Sequence, residues 1–226
     1  MAAKPAPPRP APRLYLATPA LADPAPLLAA LPRLLAAADI AAVLLRLAPS
    51  DPRTLISRVK AVAGVVQAAG AALLLDGHAD LVARGGADGA HLTGLADMKE
   101  WLPQLQPSRI AGVGGLPTRH ESMVAGEAGA DYVLFGEPAE DGTRPSPEAI
   151  AERLNWWAEL FEPPCVGYAL SPDEVEEFAA AGADFVLVGD FVWTEPGAEA
   201  AALAEAEAAL KRGYAAAGTA TPASQG

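Results

Sequence analysis

Cysteine is nearly absent from this sequence, which has Cys165 alone among 226 residues. A single cysteine excludes an internal disulfide framework, so stability must come from a hydrophobic core and a reducing compartment is acceptable. No segment has about 18 uncharged apolar residues in a row, and the N-terminus MAAKPAPPRPAPR lacks the apolar stretch of a signal peptide. We therefore expect a cytoplasmic protein with no membrane partner.

Basic residues are also scarce, because 16 lysines and arginines face 28 acidic residues, for a formal net charge of −12. Sequence-independent nucleic-acid binding needs a basic surface and is therefore excluded. None of the four lysines follows a predicted strand, which disfavours a lysine-dependent aldolase. The three histidines show neither HxH nor HExxH spacing, which gives a transition-metal site no support. Small-molecule chemistry remains open.

Apolar runs alternate with longer segments rich in Ala, Glu and Arg, which is typical of repeated βα units. Each run is continuously apolar, as burial on both faces of a parallel sheet demands. We predict eight strands, at 13–18, 41–46, 71–75, 89–92, 109–113, 132–135, 165–168 and 185–188. The pattern predicts a single-domain α/β fold, a (β/α)8 TIM barrel over residues 14–212, with a Pro-rich flexible segment at 1–13 and a flexible tail at 213–226.

Gly-Ala-Asp recurs before the apolar runs at 89, 132 and 185. The glycines Gly86, Gly129 and Gly182 then fall where helices end, a position that favours a left-handed conformation. A serine before proline marks helix starts near 147 and 172, and Ser171 with Glu174 predicts a capping box. The aspartates that precede every second strand are interpreted as structural loop residues at the stability face of the barrel: Asp39, Asp88, Asp131 and Asp184.

Active groups in such a barrel come from the carboxyl ends of the strands and the following loops. Asp76, His91 and Glu137 stand at such ends and are our candidates for proton transfer. For His91, a hydrogen-bonded structural role is an equal alternative. Cys165 begins an apolar strand and is interpreted as a core residue.

The sequence resembles the thiamine phosphate synthase and TenI family of βα barrels. The middle stretch is the most specific, since family members typically read Asn-Asp-Arg-x-Asp-Leu-Ala and then Gly-Ala-Asp-Gly-Val-His-Leu-Gly at the same spacing. The stretches that carry the resemblance are LYLATP (14–19), LLR (44–46), LDGHADLVARGGADGAHL (75–92), IAGVGG (110–115) and GADYVLFG (129–136).

This resemblance implies a transferase that joins a hydroxymethylpyrimidine diphosphate to a thiazole phosphate and expels pyrophosphate with a magnesium ion. Arg46 matches a family arginine, and Thr143 with Arg144 matches the Thr-Lys end of a family motif, so these three are the implied ligand- and phosphate-binding residues. The magnesium positions are not retained: Gly77 stands where the family has its first metal-binding aspartate, and Leu95 and Ala96 stand near the second. We therefore predict no metal site and no certain cofactor.

Other matched positions also depart from the family. Gly114 and Leu116 replace a serine and a histidine, the histidine being linked to the tautomerase branch, and Asp190 replaces a serine. After the sixth strand the family has Gly-Pro, where this chain has Gly136 and Glu137.

Three functions remain open, all with a small-molecule ligand. The first is a working thiamine phosphate synthase that uses Arg46, Thr143 and Arg144. The second is a divergent barrel enzyme with a less anionic substrate and a proton-transfer group among those named above. The third is a non-catalytic binding or regulatory protein for a phosphate-bearing heteroaromatic ligand of thiamine metabolism. The pair Trp156-Trp157 is compatible with a homo-oligomer interface.

Overall fold

The computed structural model describes residues 9–139 and 141–219. Its eight parallel strands pair in sequence order and close into a barrel, which confirms the predicted (β/α)8 fold. The strands are β1 (Arg13–Ala17), β2 (Ile40–Leu45), β3 (Ala72–Asp76), β4 (Gly89–Thr93), β5 (Ile110–Gly114), β6 (Tyr132–Phe135), β7 (Cys165–Ala169) and β8 (Phe185–Val188). The bounds of β6 and β8 are those predicted, the first residues of β1, β4 and β7 are also as predicted, and every other strand end differs by one residue.

Helices follow the strands and form the outer layer. They are α1 (Pro24–Ala37), α2 (Pro52–Ala68), α3 (Val82–Gly85), α4 (Gly94–Leu105), α5 (Arg119–Glu127), α6 (Pro147–Leu160), α7 (Pro172–Ala180) and α8 (Glu199–Thr219), with short 3-10 turns at Ala79–Leu81 and Asp190–Trp193. None of these helices is long and apolar enough to cross a membrane.

Two apolar layers hold the barrel together. The larger lies between the strands and the helices, and it includes Trp157 and Cys165, both fully buried. The smaller fills the barrel interior and contains Tyr15, Ala17, Leu44, Leu74, Tyr132, Leu134, Val166, Tyr168 and Leu187. The tyrosines of the inner layer bring hydroxyl groups into an otherwise apolar space, and buried hydroxyl groups need hydrogen-bond partners. Those partners lead to the site described below.

Helix termini follow the sequence signals in most places. Proline occupies the first turn of α2, α6 and α7, and the residue before it caps the helix with a side-chain oxygen. Only one of the two hydrogen bonds of the predicted capping box at α7 forms. The Ser171 hydroxyl accepts from the Glu174 N–H at 3.3 Å, but the Glu174 carboxylate accepts from the Leu170 N–H and from Arg144. A complete box forms instead at α5, between Thr118 and Glu121. The Glu174 carboxylate is therefore shared between Arg144 and the Leu170 N–H.

The repeated aspartates tie neighbouring strands together at the amino-terminal end of the barrel. Asp88, Asp131 and Asp184 each accept a hydrogen bond from a backbone N–H at the start of the preceding strand, at 2.7–2.8 Å. Asp39 binds Arg13 of β1 through its side chain instead. Gly86, Gly129 and Gly182 have φ values of 76°, 100° and 95°, as predicted for the ends of their helices.

Parts of both predicted flexible segments lie within the described residues, where they contact the barrel or continue a helix. Arg9 donates to Asp184 at 3.1 Å, and its carbonyl accepts from the Tyr214 hydroxyl at 2.8 Å, so the segment before β1 is tied to the barrel. Helix α8 continues to Thr219, seven residues beyond the predicted boundary at 212, because its alanine-rich sequence favours helix. Residues 1–8 and 220–226 of the predicted flexible segments lie outside the described residues.

Candidate functional site

Arg46 follows β2 and lies at the carboxyl end of the barrel, the mouth. Its guanidinium donates to Asp76 at 3.2 Å and to the Tyr168 hydroxyl at 3.0 Å, and it lies 3.4 Å from Asp190. Tyr168 in turn donates to Asp190 at 2.9 Å. Burial alone lowers the pKa of Arg46, but Tyr168 and the two carboxylates more than offset this and raise it, so the guanidinium is a fixed positive charge. The positive charge of Arg46 is paired with the carboxylates of Asp76 and Asp190.

His91 of β4 is fully buried in the barrel, where it joins two groups. Its Nε2 lies 2.9 Å from Glu137 Oε1, and its Nδ1 lies 3.0 Å from the Tyr132 hydroxyl, which is 3.1 Å from the Tyr15 hydroxyl. Because each polar atom of this chain of contacts has a partner, the chain fixes the orientation of the imidazole. The structural and the chemical interpretations of His91 are therefore compatible.

The His91–Glu137 contact acts on both groups. Burial, the largest effect, opposes the charged form of each. The charge and hydrogen bond of Glu137 nevertheless raise the pKa of His91. In turn, the charge and hydrogen bond of His91 lower the pKa of Glu137, and so does the Gly115 N–H, which lies 2.9 Å from Glu137 Oε2. Glu137 is thus held as a carboxylate. Burial likewise raises the pKa values of Tyr15 and Tyr132, which keeps both phenols neutral.

Gly114, the last residue of β5, makes room for this pair. A β-carbon at position 114 would overlap Glu137 Oε2 and would lie 2.7 Å from His91 Nε2. Real β-carbons do not approach other atoms this closely, so the contact requires glycine. The Glu137 carboxylate therefore fills the space that is left by the missing side chain at 114.

Arg144 lies in the loop after β6 and is mostly buried. Its Nη2 donates to Glu174 at 3.0 Å and to the Tyr168 carbonyl at 3.3 Å. Its Nε and Nη1 are buried and have no hydrogen-bond partner among the described residues. Thr143 does not reach the same partners, because its hydroxyl and its N–H both bind Asp141. Arg46 and Arg144 thus approach β7 from two sides, one at the Tyr168 hydroxyl and the other at its carbonyl.

A cavity of about 830 Å³ opens beside the ends of β5 and β6. Apolar side chains form most of its wall, and Glu137, Thr143, Arg144 and Arg153 add polar groups. Arg153 is occupied with the carbonyls of Leu116 and Pro117. Concave, mainly apolar cavities with a few converging polar groups are typical small-molecule sites, so this cavity is the candidate binding site.

Magnesium, which the family resemblance implies, does not fit the residues at this mouth. Asp76 binds Arg46, its neighbour is Gly77, and Asp97 lies in the first turn of α4. Within 9–139 and 141–219, no three His, Cys, Asp or Glu side chains are grouped so as to hold a metal ion. A hard divalent cation requires several converging oxygen ligands, so we assign no step to a metal.

The structure brings together two of the three proton-transfer candidates. His91 and Glu137 are in contact, whereas Asp76 binds Arg46. The sequence analysis did not identify Tyr15, Tyr132 or Glu174. The sequence shows Tyr15 and Tyr132 as residues with a polar hydroxyl within apolar strands. Their contact across the barrel, however, forms only when the eight strands close into a ring. Glu174 was assigned to its own helix, and nothing in the sequence signalled Arg144 as its partner.

The closed barrel of eight parallel strands defines a TIM-barrel protein, and its candidate small-molecule site is a mainly apolar cavity at the mouth. The family model described as thiamine monophosphate synthase matches residues 14–192, and this chain belongs to that family. The resemblance found in the sequence is therefore confirmed.

Individual relatives agree with this assignment. The chain is 37% identical over 201 residues to a thiamine-phosphate synthase of Rhodospirillum centenum, covering 85% of this chain and 95% of that protein. It is 36% identical over 208 residues to one of Hyphomonas neptunium, covering 87% and 92%. A solved structure of thiamine phosphate pyrophosphorylase from Pyrococcus furiosus superimposes with a TM-score of 0.73 at 21% identity, covering 89% of this chain and 96% of the other, and shows the likeness of fold.

Proposed function

We propose that this chain binds a small phosphate-bearing heteroaromatic ligand of thiamine metabolism at the mouth of the barrel, and that it is a transferase of the thiamine-phosphate synthase type. The reaction joins a hydroxymethylpyrimidine diphosphate to a thiazole phosphate and releases pyrophosphate. The two relatives described above are named thiamine-phosphate synthases, and the reaction is the one that the family resemblance implies. The observation that carries the proposal is the state of Arg144.

Arg144 lines the cavity and has two buried nitrogen atoms, Nε and Nη1, with no acceptor among the described residues. A buried donor without a partner costs about 1–3 kcal/mol, and such groups call for an explanation. Phosphate oxygens accept charge-assisted hydrogen bonds from guanidinium groups, which are common phosphate-binding groups in proteins. We therefore assign Arg144 to the phosphate group of the ligand.

Arg46 supplies the second positive charge. It binds the Tyr168 hydroxyl, whereas Arg144 binds the carbonyl of the same residue, and of the two only Arg144 is among the described residues that line the cavity. In the proposed reaction, negative charge accumulates on the departing diphosphate, and fixed guanidinium groups stabilise that charge when they are already in place. A phosphate that binds Arg46 must compete with Asp76 and Asp190, which hold it here.

The test is pyrophosphate release from the two precursors, measured with and without added magnesium. We expect release by the unaltered chain and a loss of at least about tenfold in kcat/KM for Arg144→Met, because one charge-assisted contact to the leaving group contributes more than 1.4 kcal/mol. Arg119→Met is the matched control: Arg119 is exposed, pairs with Glu152 and lies over the Trp156 ring, away from the cavity lining. Equal losses in the two variants would contradict the assignment.

A second candidate is binding without turnover. It is favoured by the ion pairs of Arg46 with Asp76 and Asp190, which leave less positive charge for a transition state. Calorimetry with the precursors and with pyrophosphate distinguishes the two. Binding that depends on Arg144, without release of pyrophosphate, supports the second candidate and removes the first. Neither binding nor release would overturn both.

A further inference from the structure

We infer that the Glu137 carboxylate, held by His91 and made possible by Gly114, is a specificity-determining group that receives paired N–H donors of the ligand's ring. This inference rests on the proposed function for the location of the ligand and extends it to the ring. The family resemblance places serine at 114 and proline at 137, so the arrangement belongs to this chain's own residues.

The first support is the position of the carboxylate. Glu137 Oε2 occupies the space that a side chain at 114 would fill, directly beyond the end of β5. Its neighbour Gly115 donates a backbone hydrogen bond to the same oxygen at 2.9 Å. Glu137 has therefore taken over the volume of another residue's side chain at the mouth, and its placement is fixed by the end of β5 as well as by β6.

The second support is the unused capacity of the carboxylate to accept hydrogen bonds. An ionised carboxylate has about four acceptor positions on its two oxygens. One contact on each oxygen is used, to His91 Nε2 and to the Gly115 N–H. The side chain keeps 23% of its surface accessible and lines the cavity. About two acceptor positions of this carboxylate therefore have no partner among the described residues.

The third support is the setting. Glu137 is the only carboxylate among the described residues that line the cavity, and the wall around it includes Leu116, Leu134 and Phe135. A charged group in an apolar setting is stabilised by a partner of opposite charge or by strong donors. Two parallel N–H groups on one edge of a flat ring match two parallel carboxylate oxygens, as the guanidinium fork does. The apolar walls suit the faces of such a ring.

Glu137 and Arg144 both line the cavity, and the inference gives them different parts of the ligand. Glu137 takes the ring edge, and Arg144, which binds Glu174 on its other side, takes the phosphate. A phosphate is repelled from Glu137, so the ligand enters in one orientation. Specificity of this kind depends on a repulsive contact as much as on an attractive one.

The experiment uses phosphate-free fragments, so that it does not depend on the reaction. Binding of 2-aminopyridine, whose protonated form presents two parallel N–H donors, is compared with that of 2-methylpyridine, which has the same shape without them. Both are titrated into the full chain and followed by NMR. We expect the amino compound to bind about tenfold more tightly, because a pair of charge-assisted hydrogen bonds exceeds 1.4 kcal/mol.

Glu137→Gln is expected to remove this preference, leaving the two fragments within about twofold of each other. The matched control is Glu152→Gln on α6, an exposed acid that pairs with Arg119 and does not line the cavity. It should keep the preference. Because the comparison of fragments on the unaltered chain needs no variant, the test stands even where Glu137→Gln fails to fold.

A double-mutant cycle tests the role of Gly114. Gly114→Ser forces a β-carbon onto the carboxylate, so it should lower the melting temperature by about 3–10 °C and abolish the fragment preference. In the Glu137→Ala background the same change should lower the melting temperature by less than half as much, because the overlapping oxygen is gone.

Equal affinity for the two fragments, no binding of either, or an unchanged preference in Glu137→Gln would each overturn the inference. Precursor turnover that continues in that case would leave the proposed function intact. If turnover fails while the fragment preference is preserved, the proposed function is contradicted and the inference about Glu137 stands. The two proposals can therefore be tested separately.

Discussion

At the scale of single residues, the mouth is controlled by which charges are paired. Arg46 and Arg144 each meet acids within the chain, and Glu137 meets His91. A charge that is already paired is available to a ligand only through its unused hydrogen-bond positions or through exchange of partners. Arg144 and Glu137 have such positions, whereas Arg46 depends on exchange.

The His91–Glu137 pair should make stability depend on pH in two directions. The pKa of His91 is raised, so its contribution is fully present below about pH 6.5 and is lost as the pH rises through the raised value. The pKa of Glu137 is lowered, so its contribution is present above about pH 4.5 and is lost as the pH falls through the lowered value. The joint contribution is therefore greatest between these two ordinary values.

Glu137→Gln should reduce the free energy of unfolding by about 1–3 kcal/mol near pH 5.5 and by less at pH 9, because the variant loses the partner of a buried imidazolium. Urea denaturation at both pH values measures the difference. The exposed-acid variant Glu152→Gln serves again as the control. A difference that does not change with pH would show that the pair is not charged in the folded chain.

The sequence predicted the residue types at the mouth better than their partners. Asp76, His91 and Glu137 were placed at strand ends because apolar runs stop there, and that reasoning needs only local pattern. Their partners come from strands 30 to 46 residues away along the chain. Side-chain pairing across a closed barrel depends on the register of every strand between, which local pattern does not specify.

At the scale of the elements, the barrel repeats one device at its amino-terminal end. The aspartate before β4, β6 and β8 accepts the N–H of the first or second residue of the preceding strand, so it joins two strands where their ladder begins. The sequence analysis interpreted these aspartates as structural. The contacts give that interpretation its physical content, because an open strand end leaves a donor unpaired.

Asp131→Ala should destabilise the chain by about 1 kcal/mol, since it removes one hydrogen bond to the N–H of Ala111 at the edge of the core. Thermal or urea unfolding measures the loss, and activity or ligand binding at the opposite end should be unaffected at temperatures where the variant is folded. Glu127→Ala, an exposed acid at the end of α5, is the control. A similar loss in both variants would contradict the strand-capping role.

Most helix starts were predictable from the sequence, but the capping box at α7 was predicted only in part. Serine before proline marked α6 and α7 because the capping oxygen and the fixed φ of proline act locally. The capping box at α7 is incomplete because Glu174 binds Arg144 from a loop 30 residues away. A local rule fails here where a buried arginine competes, and the failure lies at the candidate site.

At the scale of the whole molecule, the fold was predictable because the spacing of the apolar runs and their lengths both fit a (β/α)8 barrel. Eight apolar runs of similar length, separated by helical segments, leave few arrangements other than a closed parallel barrel. The ordered ends were not predictable from composition: Arg9 is fixed by Asp184 and Tyr214, which are distant in sequence. The net charge of −12 is a further property of the whole chain.

Because that charge repels anions at long range, association of an anionic ligand should become faster as salt screens it. We expect the association rate constant of pyrophosphate to rise between 10 mM and 150 mM ionic strength, as the screening length falls from about 30 Å to about 8 Å. Stopped-flow measurements check this, with the uncharged 2-methylpyridine as the control. A fall in the rate over the same range would mean that the local field of the two arginines dominates.

The overlap between a β-carbon at 114 and the carboxylate at 137 also restricts the order in which substitutions can accumulate. A β-carbon at 114 would overlap Glu137 Oε2 and would lie 2.7 Å from His91 Nε2, so a side chain there must displace the glutamate and shift the imidazole. A serine at 114 should therefore be tolerated better after Glu137 has been replaced by a smaller residue than before. Ancestral and intermediate sequences should accordingly combine Gly114 with varied residues at 137 more often than serine at 114 with glutamate at 137.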